Sequence, residues 1–426
     1  MKNIFTLLTL LTATSIFATD RFVDPNLSSG NGTTLFTNIT SAVSAAVNGD
    51  RIFISANTYN EASLTIDKSL KIIPQTPGTI VNFNANITIA GFPGMKLEII
   101  GFNLGIYSIM SSKISSGNNS NRAKVSIIEC LTSGIEFNND FYEVNIIKNN
   151  VSGMVQFKYG NVLMNNIQTV LLFDETLDSQ SITEKILISN NTISYMLGIF
   201  NNNYKFVVSN NNLKYLSVKR WNSESSVKNK IINNQFSDGA VFHMSWGDVP
   251  YYNIMFTSNK FLGTCSFYSG STNFHQNFGN FNWYDTTVDY RQNFFSGAYM
   301  SSYNISNETS NQSKYYPNPS VPGTFEWSYN GIDFTCPTPN SSQPLSLIKV
   351  VGSTNDIDGG NPNHDYYDID LTVNDRGVNG GPYSQLNYNP SSNSNNSKAF
   401  IFDLEMPTDL FPGQSVDIKA KGYHKN

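Results

Sequence analysis

One short phrase recurs through the middle of this chain: an apolar residue, two others, an asparagine, one more residue and a second apolar position. It runs through Ile146, Asn149 and Val151, then Val162, Asn165 and Ile167, then Ile188, Asn191 and Ile193. Val208, Asn211 and Leu213, then Ile231, Asn234 and Phe236, then Phe256, Asn259 and Phe261 continue it. Phe274 with Asn277 and Tyr290, Asn293 and Phe295 close the series. Alternating apolar residues ahead of each asparagine, such as Ile186 and Ile188, predict a strand with one face turned inward. The asparagines recur every 16 to 26 residues, the length of one solenoid coil. Asparagine tolerates the left-handed backbone of a sharp corner. With coils stacked about 4.8 Å apart, each corner amide can bond its neighbours above and below. The eight asparagines are therefore expected to form a structural ladder.

The N-terminal region fits the same architecture. Residues 21–24 read as a strand, and Asn38 or Thr40 caps a short amphipathic helix carrying Ile39, Val43 and Ala46. Residues 50–54 begin the first long strand, followed by 64–66 and 70–72. Gly49-Asp50-Arg51-Ile52 and Asn57-Thr58-Tyr59-Asn60-Glu61 resemble the opening of secreted right-handed parallel β-helix proteins, the pectate-lyase-like fold. Asn57 stands where that pattern carries glycine. The resemblance covers about residues 20–385 and implies an all-β chain built as a single right-handed parallel β-helix solenoid. The expected division is a signal segment at 1–18, a strand and capping helix at 19–50, coils at 51–385 and a linker at 386–398. An antiparallel extension at 399–426 follows, with strands expected at 399–405 and 415–420. Residues 300–345, rich in Ser, Asn and Pro, read as long loops. Within them, Tyr316-Pro317-Asn318-Pro319 is similar to the start of a bacterial outer-surface sorting domain, but without the strands expected after it.

Composition narrows the function. Only 14% of residues are charged, against about 25% in a typical domain, and about 58 asparagines take their place. A net charge of −5 without a long Lys/Arg run argues against nucleic-acid binding. Lys2, the apolar run from Ile4 to Leu11 and small Ala18 read as a secretory signal. No later run is long enough to span a bilayer. A secreted or cell-surface monomer is expected. Cys130, Cys265 and Cys336 are odd in number and widely spaced, and read as small apolar packing.

The resemblance implies a polysaccharide groove along one outer sheet, yet the catalytic signatures of the β-helix enzymes cannot be carried onto this sequence. One constellation follows from register. If the Asn277 and Asn293 coils are consecutive, Asn273 lies beside Asp289 and His275 beside Arg291 on the outer face. Inert, solvated surface explains these four equally. Trp246, Tyr251, Tyr252, Trp283 and Tyr284 are the aromatics expected to be exposed for stacking on sugar rings. Asp356, Asp358, Asp368 and Asp370 could supply hard oxygen ligands to calcium, or simply shape Asp-Gly turns. The favoured expectation is a non-enzymatic carbohydrate-binding, adhesion or surface-structural protein whose partner is an extracellular polysaccharide. The alternative is a polysaccharide lyase or glycoside hydrolase.

Overall fold

A computed structural model describes residues 18–112, 121–139, 141–173, 185–200, 205–220, 229–244, 254–257, 259–262, 294–296, 314–317, 324–329, 332–337, 367–368, 372–373, 375, 377–384, 400–405 and 419–423. Two long parallel sheets dominate, one of 12 strands and one of 15. The chain visits them alternately. Lys96–Ile100, Ala123–Ile128, Tyr142–Ile147, Gly160–Leu163, Lys185–Ser189, Lys205–Ser209, Asn229–Ile232 and Ile254–Thr257 stack in the first sheet. After each of these strands the chain turns a corner into the second sheet. Every return is parallel to the last, which is the geometry of a β-helix-like solenoid.

Register holds the core in columns. Ile52, Ile72, Ile99, Ile127, Ile146, Val162, Ile188, Val208, Ile231 and Phe256 are consecutive partners along the first sheet. Val151, Ile167, Ile193, Leu213, Phe236, Phe261 and Phe295 form the facing column of the second. Branched side chains stacked on like side chains are stiff and pack densely. The second sheet bends in four successive pairings at one place, where the register slips beyond Val151, Ile167, Ile193 and Leu213. Such aligned irregularities turn a sheet without breaking its ladder.

At the N-terminal end the first column finishes in Arg21, partnered to Ile52 in the sheet. This buried guanidinium meets the Asp50 carboxylate at 2.7 Å, and Asp50 also accepts from the Thr19 and Val47 amides. Helix α1 (Ile39–Ala45) has Asn38, not Thr40, as its N-cap, accepting from the Ser41 amide. Glu61 supplements it by accepting from the Ile39 and Thr40 amides. Lys68 donates to the Val43 and Ser44 carbonyls at the other end. The Asp and Glu of the opening motif are thus structural caps that satisfy helix-end and strand-end donors.

The tail departs from the sequence expectation. Residues 300–345, expected as loops, contain the antiparallel strands Lys314–Pro317, Thr324–Tyr329 and Ile332–Pro337. Alternating Phe325, Trp327 and Tyr329 carry the period-two signal there, masked by the polar composition around it. The YPNP segment is therefore followed by paired strands after all. Near the C-terminus Phe400–Glu405 pairs antiparallel with Lys419–Tyr423, which overlaps the expected strand at 419–420, while residues 415–418 lie outside the described residues.

Candidate functional site

The corner between the sheets is the most regular polar feature. Asn149, Asn165, Asn191, Asn211, Asn234 and Asn259 are all buried there. Each Oδ1 from Asn165 onward accepts both the backbone N–H and the side-chain Nδ2 of the preceding member, at 2.7–3.1 Å. Each Nδ2 also donates back to a carbonyl of the coil before it, from Ile127 for Asn149 through to Ile231 for Asn259. The ladder begins at Cys130, whose amide donates to Asn149 Oδ1. Burial pushes the Cys130 thiol up to about 12, so it packs as a neutral side chain.

The left-handed corner residue is not the ladder asparagine, as the sequence suggests, but the residue before it. Glu129, Lys148, Met164, Asn190, Asn210 and Asn233 have φ between 53° and 59°. One residue turns the chain, and the next can then point inward and bond along the axis. Asn-Asn doublets at 190–191, 210–211 and 233–234 were the readable sign that both tasks fall to asparagine.

On the outer face of the second sheet, Asn150, Asn166, Thr192 and Asn212 follow one another in register and are exposed. Ser152, Gln168, Ser194 and Lys214 are exposed two residues further along the same strands, as is Ser237 on the next strand, Gln235–Met244. Tyr195, 58% exposed, stands at the register slip beside this polar field. Amides and hydroxyls both donate and accept hydrogen bonds, and the tyrosine ring offers a flat apolar surface. Tyr195 was not among the aromatics singled out from the sequence. Strict alternation from buried Ile193 would turn Tyr195 inward, and the register slip brings it to the surface.

Most sequence candidates lie outside the described residues: Asn273, His275, Asp289 and Arg291, the aromatics Trp246, Tyr251, Tyr252, Trp283 and Tyr284, and ladder positions Asn277 and Asn293. The second sheet pairs Lys260–Leu262 directly with Phe294–Ser296. The consecutive stacking of the Asn277 and Asn293 coils, which the His275–Arg291 array requires, falls on residues outside the described ones. Asp356, Asp358 and Asp370 also lie outside. Asp368 is described, and its two carboxylate oxygens accept from the Asp375 and Gly381 amides, so it organises a turn. Among the described residues no three His, Cys, Asp or Glu side chains cluster as a metal site, and no helix is long and apolar enough to cross a membrane.

A small cleft of about 20 Å³, room for one water, lies between Ile73, Pro77, Thr79, Gly101 and Glu129. It is too small for a sugar. No protein-family model, curated protein or solved structure matches this chain.

Proposed function

We propose that this chain is an exported, right-handed parallel β-helix of pectate-lyase-like architecture that binds an extracellular polysaccharide along the outer face of its second sheet. The observation that carries the reading is the in-register field of Asn150, Asn166, Thr192 and Asn212 with exposed Tyr195 beside it. Uncharged donors and acceptors repeated along a rigid sheet suit a neutral polymer, whose hydroxyls also repeat, and a tyrosine ring can stack on a sugar face. The low charge of the whole chain favours the same class of ligand. The signal-like residues 1–18 support export.

Affinity electrophoresis and pull-down on a panel of insoluble plant, algal and host polysaccharides test this directly. Retention on at least one polymer is expected, with Tyr195→Ala weakening it roughly three- to tenfold. No retention on any polymer would remove the binding reading. Release of unsaturated sugars or new reducing ends from a retained polymer would replace it with a lyase or a hydrolase.

A further inference from the structure

The left-handed asparagines Asn190, Asn210 and Asn233 turn their side chains away from the inner ladder. Their partners lie far along the chain. Asn233 Nδ2 donates to the Asp375 carbonyl at 2.7 Å, Asn210 Nδ2 to the Val378 and Gly380 carbonyls at 2.9 and 2.6 Å, and Asn190 Nδ2 to the Tyr383 carbonyl at 2.8 Å. The segment thus passes from one corner to the next, against the order of the coils. Every one of these contacts is to main chain. Tyr383 packs on an apolar stripe outside the solenoid that includes Leu163, Leu187 and Val207, and on Ile232. The Lys185 ammonium lies 5.9 Å from the Tyr383 ring centre, within cation–π range.

The segment is shaped for this contact. Gly377 and Gly381 have φ of 84° and 76°. A Cβ at Gly380 would come 2.6 Å from Asn233 Nδ2 and overlap the Asp375 carbonyl. The Asp368 carboxylate holds both flanks by accepting from the Asp375 and Gly381 amides. The fit is also incomplete. With its Nδ2 facing two carbonyls, the buried Asn210 Oδ1 has no hydrogen-bond partner, and an orphaned buried acceptor weakens the seam. At the preceding corners the left-handed residues are Glu129, Lys148 and Met164, which have no side-chain amide to offer.

We propose that this outer corner is a docking track that recognises peptide main chain, and that residues 375–384 are a clasp that occupies it and can be released without unfolding the coils. The track selects backbone carbonyls, so its specificity comes from shape: glycine where the clasp approaches most closely and one ring over the apolar stripe. Release would uncover Leu187 and Val207.

Hydrogen exchange read by mass spectrometry on the full chain tests this. Two variants approach the contact from opposite sides. Gly380→Ala blocks docking from the clasp. The triple variant Asn190→Gly, Asn210→Gly, Asn233→Gly removes the amides while glycine keeps the left-handed corners. In both, exchange in peptides covering 375–384 should accelerate about tenfold or more, while peptides covering 185–189 and 205–209 keep their protection. Unchanged protection of 375–384 in either variant would overturn the docking track. Loss of protection in clasp and coils together in Gly380→Ala would show that the segment is an inseparable part of the core, and would overturn its release.

Discussion

Replacing Asn191 by alanine removes four hydrogen bonds at once. Two are donated by its Nδ2, to the Val162 carbonyl at 2.8 Å and to Asn211 Oδ1 at 2.9 Å. Two are accepted by its Oδ1, from Asn165 N and Nδ2, both at 2.9 Å. Some of those groups keep other partners: Asn165 Nδ2 still reaches the Ile146 carbonyl, and Asn211 Oδ1 still receives the Asn191 amide. The Asn165 amide loses its ladder acceptor and the Val162 carbonyl its side-chain donor, in a corner where Asn165 is 3% exposed. At about 1–3 kcal/mol for each buried group left unsatisfied, the cost of the two is about 2–6 kcal/mol. Backbone strain adds nothing, because the left-handed residue is Asn190. In a solenoid the damage stays near its source. Hydrogen exchange should therefore accelerate in Gly160–Leu163 and Lys185–Ser189 by at least about thirtyfold, the lower bound at 1.4 kcal/mol per decade. The N-terminal strands Arg51–Ile54 and Lys71–Pro74 should exchange as before. A change below about threefold near the mutation would refute the account of the ladder as a stabilising element.

Two further outcomes follow from the start of the ladder and from the N-terminal end of the solenoid. Cys130→Asn should extend the ladder by one step, because Sγ already lies 3.8 Å from the Ile99 carbonyl that a new Nδ2 would reach; a gain of about 0.5–1.5 kcal/mol in urea denaturation is expected, and destabilisation would mean the larger side chain overpacks the corner. Burial raises the Asp50 pKa, but the Val47 and Thr19 amides and Arg21 outweigh it and hold the carboxyl below its ordinary value. The stabilisation from Asp50 is thus present above the unfolded pKa of about 3.9 and fades as pH falls through the folded value. Acid titration followed by exchange in Asp20–Val23 should show this loss in the wild type and not in Asp50→Asn, which should already be weakened at neutral pH.

The repeat was legible because its apolar positions are fixed relative to an asparagine that must be buried and bonded. The corner assignment slipped by one residue because either member of an Asn-Asn doublet can adopt left-handed φ. The strands at 314–337 were hidden because alternation of Phe325, Trp327 and Tyr329 is short and set among Ser, Asn and Pro. The placement of Asn277 and Asn293 as consecutive corners falls on residues outside the described ones. Tyr195 was invisible as a candidate because exposure at a register slip depends on the neighbouring strand. The clasp was beyond reach for a different reason. Its contacts join residues 142 to 193 positions apart, and a main-chain carbonyl leaves no mark in the sequence.

The ladder has a direction. Each ladder backbone N–H from Asn149 to Asn234 is satisfied by the asparagine of the coil after it. A chain that emerges N-terminus first therefore always carries one incomplete coil at its growing end, waiting for the next asparagine to arrive. Every newly seated coil closes the one beneath and presents the same opening in turn. A chain cut short between Asn149 and Asn234 would end on a buried corner N–H that has lost the asparagine accepting from it.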